Sequence, residues 1–161
     1  MRAAARMRIE VGFCVVQVEG REHPYRAAAI ELLARFFGEE GFATPPARLV
    51  ANLDRMLADD TCWVADGNHS VGVITVTTML YVEWGRLAEI GDLYVIPGHR
   101  GRGLARRLIA AAVDWAGRRG CSGTYATLTP DGEARHQLSR FYAKLDFRPT
   151  GRTTMMRVTQ S

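Results

Sequence analysis

Hydrophobic positions along this chain switch between two spacings, and the switches mark its elements. Apolar residues alternate in IEVGFCVVQV (9–18), which predicts a first strand. From HPYRAAAIELLARFF (23–37) the spacing lengthens to that of a helix, with Pro24 near its first turn and Ala29, Leu32, Leu33 and Phe36 as its apolar stripe. GEEGFATPP reads as a loop, and PARLVANLDRMLAD (46–59) as a second helix that buries Leu49, Val50, Leu53 and Leu57. The period then returns to two. TCWVAD and SVGVITVTTMLYVE are rich in β-branched residues and are joined by DGNH, a hairpin signal, and GRLAEIGDLYVI (85–96) follows through Trp84-Gly85 as a further strand. Residues 103–118 form a long helix with Leu104, Leu108, Ala111, Ala112 and Trp115 on one face and Arg107, Asp114 and Arg118 on the other. GTYATL (123–128) reads as a buried strand, 132–147 as a helix carrying Leu138, Phe141, Tyr142 and Leu145, and TTMMRV (153–158) as a closing strand. The predicted order is β-α-α-β-β-β-α-β-α-β, an α/β domain with a mixed, mostly antiparallel sheet flanked by helices.

At 161 residues the chain suits one domain with a sizeable core. Residues 1–8 are expected to be a disordered N-terminus and 9–161 the domain. No apolar run reaches membrane-spanning length and no secretory pattern precedes the first strand, so a cytoplasmic protein without membrane contact is expected. The three cysteines are far apart and form no CxxC pair, and the four histidines lack ligand spacing; no metal site is expected. The formal charge is +4, with much of the basic character in residues 100–119. A basic cluster suits nucleic acid or a phosphate-bearing cofactor. No helix-turn-helix pattern and no aromatic platform accompany the arginines, so no nucleic-acid partner is expected.

The chemistry concentrates in LYVIPGHRGRGLARRL (93–108), where a strand meets Pro97, then a glycine–arginine loop, then the long helix. Glycines let a ligand approach the backbone, and the first turn of a helix offers unpartnered N–H groups and a favourable dipole to an anion. Arg100, Arg102, Arg106 and Arg107 add positive charge. The loop is a pyrophosphate cradle by its chemistry, although a glycine-rich turn with solvated arginines would read the same. It is not a P-loop, because no Lys-Ser or Lys-Thr follows. It is not a dinucleotide fingerprint either, because Arg106 stands at the third glycine.

Arg100-Gly101-Arg102-Gly103-Leu104-Ala105 does fit (Arg/Gln)-x-x-Gly-x-(Gly/Ala), and FYAKLDF follows about forty residues on. On these motifs and the element order, the sequence resembles the GNAT superfamily of acetyl-CoA-dependent N-acetyltransferases over roughly residues 9–158. The resemblance implies acetyl-CoA as cosubstrate. Its pantetheine arm would lie on the backbone of Leu93, Tyr94 and Val95, and its pyrophosphate on Arg100, Gly101, Arg102, Gly103, Leu104 and Ala105. It implies that the sheet splays at this strand and that Tyr142 stands near the thioester sulfur. A phenol of pKa about 10 can protonate a leaving thiolate. Asp146 replaces the family's usual glycine before Phe147, and Asp tolerates the left-handed conformation that such a turn requires.

The acceptor amine arrives protonated, so a base is needed. Glu89 is in register with the glutamate of the family's histone-modifying members and is the first candidate; Asp92 is the second, and ordered water is the alternative. In an ideal strand Glu89 and Asp92 face opposite sides, so a shared role requires a bulge. Specificity is expected from Glu39 and Glu40 among Phe36, Phe37 and Phe42, and from Tyr81, Glu83 and Trp84 of the hairpin, since carboxylates beside aromatic walls suit a cation. The expected substrate is a small cationic amine, and the FFGEEGF region is loosely similar to some aminoglycoside acetyltransferases of the superfamily. Protein or peptide N-acetylation and a non-catalytic acyl-CoA-binding regulator are the alternatives, and homodimer formation is left open.

Overall fold

The computed structural model describes residues 12–159. The expectation for residues 1–8 and the first positions of the predicted strand at 9–18 lie outside them. Five strands form one sheet in chain order: β1 (Cys14–Val18), β2 (Thr61–Asp66), β3 (Ser70–Tyr81), β4 (Gly85–Val95) and β5 (Gly123–Ala126). The first four pair antiparallel, and β5 joins β4 in parallel. Between β1 and β2 run α1 (Arg26–Glu40) and α2 (Pro46–Met56), and α3 (Leu104–Arg118) makes the crossover from β4 to β5. This is the expected mixed α/β sheet with helical layers.

The helices cover opposite faces. Trp63 packs edge-on against Trp115 of α3 at 5.8 Å, and its register partner Ile74 lies opposite Leu93. Tyr94, the next residue, therefore points to the other face, where it meets Phe36 of α1 at 5.6 Å. Leu104, Leu108, Ile109, Ala112, Trp115 and Ala116 bury one side of α3, while Ala111 is half-buried. Leu32, Leu33, Leu49, Leu53 and Leu57 close the α1–α2 side, and a bidentate ion pair from Arg26 to Asp54, at 2.7 and 2.9 Å, joins those two helices.

Besides shifted ends such as that of α2, which stops at Met56 rather than at 59, three features differ from the sequence reading. First, α1 runs three residues further than expected, so Glu39 and Glu40 belong to its last turn rather than to a loop. Gly41 ends it at φ 75°, where the Phe42 N–H donates to the Phe37 carbonyl at 2.8 Å.

Second, the predicted helix over 132–147 is two short helices, α4 (Pro130–His136) and α5 (Leu138–Ala143). They are divided by Gln137 at φ 50°. The Glu133 carboxylate caps the restart, accepting from the Ser139 N–H at 2.7 Å and its hydroxyl at 2.8 Å.

Third, residues 153–158 form no strand. Met155, Met156 and Val158 are exposed, and the segment pairs with no strand of the five-stranded sheet.

The chain divides into two compact units at Thr127/Leu128. The second contains α4, α5 and the turn after them. There Asp146 takes φ 65°, and the Phe147 N–H donates to the Tyr142 carbonyl at 3.2 Å, so the aspartate does occupy the left-handed position expected of it. Asp146 is fully exposed and its ion pair with Arg148 is long, at 3.8 Å. Asp146→Gly should therefore stabilise the protein by about 0.5–1 kcal/mol by relieving the left-handed strain. The check is a melting curve, in which Tm rises by roughly 2 °C.

Candidate active site

Strand β4 carries the site because it is paired in two different ways. On one side β3 follows it for its whole length. On the other, β5 is in register only from Leu87↔Gly123 to Ile90↔Ala126. From Gly91 to Val95 the β5-facing edge has no strand beside it among the described residues. An unpaired edge presents N–H and C=O groups to any extended ligand that can bond them. Leu93, Tyr94 and Val95 lie on this segment.

A β-bulge marks the point of divergence. Val76 pairs with Ile90 and Ile74 with Leu93, so Thr75 alone opposes Gly91 and Asp92. The Thr75 hydroxyl fills the gap, accepting from the Asp92 N–H at 2.8 Å and donating to Asp92 Oδ2 at 3.0 Å. A Cβ at Gly91 would stand 2.9 Å from that hydroxyl, so the bulge needs glycine there. The extra residue turns Asp92 to the face of Thr75, Thr77 and hence Glu89, the shared side that an unbroken strand denies them. Burial pushes the Asp92 carboxyl above its ordinary range, partly offset by the Thr75 hydrogen bond.

Glu89 sits at the last-but-one paired position before the split, opposite Tyr125. Tyr125 Oη donates to its Oε2 at 2.9 Å, and Thr127 Oγ1 to its Oε1 at 3.2 Å. Tyr81 brings its hydroxyl within 3.4 Å of that of Tyr125 and stacks at a tilt on Trp84, ring centres 5.6 Å apart. Thr75, Tyr125 and Thr127 were not singled out from the sequence. In a residue string they are ordinary strand formers, and only the bulge and the parallel register bring them to the carboxylates.

Beyond β4, a single 3-10 turn (Pro97–His99) leads into the loop. Gly101 and Gly103 adopt φ 74° and 77° and have open space where a Cβ would stand. Gly103 caps α3 without a side-chain acceptor, and the hydrogen bond at this end runs from the Arg107 N–H to the Gly103 carbonyl at 3.1 Å. The amides of Leu104, Ala105 and Arg106 are thus first-turn donors without intrahelical acceptors, at the positive end of a 15-residue helix. Arg102 and Arg106 are exposed around them. First-turn amides, the helix dipole and exposed arginines make this loop electropositive, and the space beside both glycines is open.

Arg100 plays a different part from its neighbours. Its Nε donates to the Val95 carbonyl at 2.8 Å, and its Nη2 pairs with Glu39 Oε2 at 3.0 Å. The other oxygen of Glu39 accepts from the Tyr94 hydroxyl at 2.5 Å. Both oxygens of Glu39 are therefore engaged, and they tie the end of α1 to β4 and to the loop. The Tyr94 hydrogen bond and, after it, Arg100 hold the Glu39 carboxyl below its usual range against its desolvation. Burial and then Glu39 push the Tyr94 phenol up to about 12. These partners also explain why an acidic C-terminal turn, unfavourable beside the helix dipole, is retained in α1.

In the second unit, Tyr142 is buried between Phe141 and Phe147, with ring centres at 5.3 and 5.1 Å. Burial pushes its phenol up to about 12, so it keeps its proton throughout the neutral range. No group of His, Cys, Asp and Glu able to hold a metal ion occurs among the described residues, and no helix among them is long and apolar enough to cross a membrane.

A strand edge left unpaired beyond Ile90 leads through a glycine loop into the start of a 15-residue helix, in an α/β sheet flanked by helices. The chain matches the model of the acetyltransferase (GNAT) family over residues 26–147 and belongs to that family. No curated protein matches the sequence.

Solved structures share the fold. An aminoglycoside N-acetyltransferase in complex with CoA is 19% identical, with a TM-score of 0.74 over 91% of this chain and 95% of that one. An aminoglycoside acetyltransferase from an uncultured soil metagenomic sample, in complex with sisomicin, is 18% identical, with a TM-score of 0.69 over 92% and 95%. A transcriptional regulator from Bacillus halodurans is 23% identical, with a TM-score of 0.72 over 90% and 100%. At these identities the likeness shows the fold.

Proposed function

We propose that this protein transfers an acetyl group from acetyl-CoA to a primary amine of a small cationic molecule, an aminoglycoside or a polyamine-like compound. The observation that carries this reading is the unpaired edge of β4 running directly into the glycine loop, a continuous track for a pantetheine arm and a pyrophosphate. The amides of the segment from Arg100 to Ala105 would hold the pyrophosphate, and the backbone of Leu93, Tyr94 and Val95 the arm. When bound, acetyl-CoA supplies an activated acetyl thioester. Because a cytoplasmic enzyme would draw on the cytoplasmic supply of that thioester, the cytoplasm is the proposed compartment.

The residues then divide the proton work. Glu89, on the face it shares with Asp92, accepts a proton from the incoming ammonium, directly or through water; Asp92 is the second candidate. Tyr142 holds its proton at Oη and donates it as a hydrogen bond to the departing sulfur. Burial keeps the phenol protonated, so Tyr142 is proposed as the acid that delivers this proton to the departing sulfur, which leaves as a thiol.

Glu40, Tyr81 and Trp84 remain the proposed acceptor side, as carboxylate and aromatic groups suited to a cation. Glu39, with both oxygens taken, is proposed to contribute by steadying the loop. The fold shared with an aminoglycoside acetyltransferase in complex with sisomicin supports the substrate class.

The test is thiol release from acetyl-CoA across aminoglycosides, polyamines, amino acids and short peptides. Saturable turnover on the polycations supports the proposal. Turnover confined to peptides moves the assignment to protein modification. Tight acetyl-CoA binding with no turnover on any amine favours a regulator, a role named for one protein that shares the fold.

A further inference from the structure

We propose that Tyr125 and Thr127 are positioning residues for Glu89, holding both of its oxygens while leaving one lone pair on each for the acceptor amine. This rests on Glu89 being the base. Glu89 and Tyr125 are register partners in the parallel β4–β5 pair, so their side chains leave the sheet on the same face. An ionised carboxylate only accepts hydrogen bonds, so at 2.9 Å the Tyr125 hydroxyl must be the donor to Oε2. Thr127 is the donor to Oε1 at 3.2 Å for the same reason. Tyr125 has then committed its only hydroxyl proton. Its contact with Tyr81 at 3.4 Å therefore runs from the Tyr81 O–H to the Tyr125 oxygen.

The chain Tyr81→Tyr125→Glu89 has one direction. It links the tip of the β3–β4 hairpin, where the acceptor side is proposed, to the carboxylate. Burial first, and then Tyr81 and Glu89, push the Tyr125 phenol above its ordinary value, so it stays protonated and remains a donor across the working range. A carboxylate accepts about four hydrogen bonds. Two are taken by these hydroxyls, which prevent the side chain from rotating, and the remaining lone pairs stay available to an ammonium.

The experiment compares kcat, acceptor KM and acetyl-CoA affinity in Tyr125→Phe, Glu89→Gln and the double variant, using the best amine of the panel. Tyr125→Phe removes one oxygen from a half-buried ring and should lower kcat about 10-fold, with KM and coenzyme affinity within about 2-fold of the parent. In the Glu89→Gln background the same change should cost less than about 2-fold, because the interaction it removes is already broken.

Thr127 is exposed and lies one residue beyond the end of β5, so it provides a second variant with little risk to folding. Thr127→Ser should retain activity and Thr127→Val should lose about 3-fold in kcat, as expected for one weaker hydrogen bond. Unchanged kcat in Tyr125→Phe, equal losses in both backgrounds, or equal activity of the two Thr127 variants would overturn the positioning role while leaving Glu89 as the base. A harmless Glu89→Gln would instead overturn the base assignment itself, and this inference with it.

Discussion

Gly103→Glu should weaken acetyl-CoA binding by at least roughly 100-fold and abolish measurable turnover. Two effects act together. Gly103 is at φ 77°, where a Cβ costs about 1–2 kcal/mol of backbone strain. The new side chain would also put a carboxylate in the open space beside the first-turn amides of α3, where the pyrophosphate is proposed to lie. Two like charges about 4 Å apart repel by roughly 4 kcal/mol near a protein surface, and salt screening still leaves a large part of that. Gly103→Ala separates the terms, since it adds strain without charge and should cost about 10-fold or less. Calorimetric titration with acetyl-CoA reads both variants, and circular dichroism checks that they fold. Parent-like affinity in Gly103→Glu would remove the loop from the coenzyme site.

The second large effect is expected at Glu89. Glu89→Gln keeps the size of the side chain but removes its charge and one of the two oxygens that Tyr125 and Thr127 hold, so the base and its positioning are lost together. It should lower kcat by about 10²–10³-fold at neutral pH, the usual contribution of a general base, with acetyl-CoA affinity unchanged. The deficit should shrink as pH rises. An acceptor amine of pKa about 10 loses its own proton with increasing pH, so the reaction depends less on a protein base. A rate–pH profile from neutral to about pH 9.5 shows whether the gap closes. If Glu89→Gln is active and Asp92→Asn is not, the role passes to Asp92, which the Thr75 bulge places on the same face.

Much of this was legible in the residue pattern because it depends on local rules. Alternation located β1, β-branched runs and the DGNH turn located β2 and β3, helical spacing located α1 to α3, and the Gly-Arg-Gly loop announced the start of α3. Asp146 was readable as a left-handed turn residue from the chemistry of aspartate alone.

The rest depends on partners distant in sequence. Gly91 in LAEIGDLYV permits the bulge, but its partner is invisible locally: the Thr75 hydroxyl, 17 residues away, accepts the Asp92 amide. Gly38 looked like the end of α1, yet the helix continues to Glu40 because Tyr94 and Arg100, from the far side of the sheet sequence, hold Glu39. Gln137 carries no turn signal of the Gly or Pro kind, so the break between α4 and α5 was invisible. TTMMRV carries β-branched and apolar residues as a strand does, yet it pairs with none of the five strands, and composition alone does not fix pairing. The two oxygens of Glu39 show the same limit at the site: a carboxylate beside aromatic residues reads as a ligand for a cation until the structure shows its partners.

The most direct test of the central claim is a single assay with purified protein, acetyl-CoA and the cationic-amine panel. Free thiol is followed continuously, and the product amine is weighed by mass spectrometry. The account predicts saturable thiol release that requires both substrates, with one acetyl group added to a polycationic amine, and loss of both signals in Gly103→Glu. Thiol release that ignores the amine, or an unmodified amine pool after the coenzyme is consumed, would contradict it.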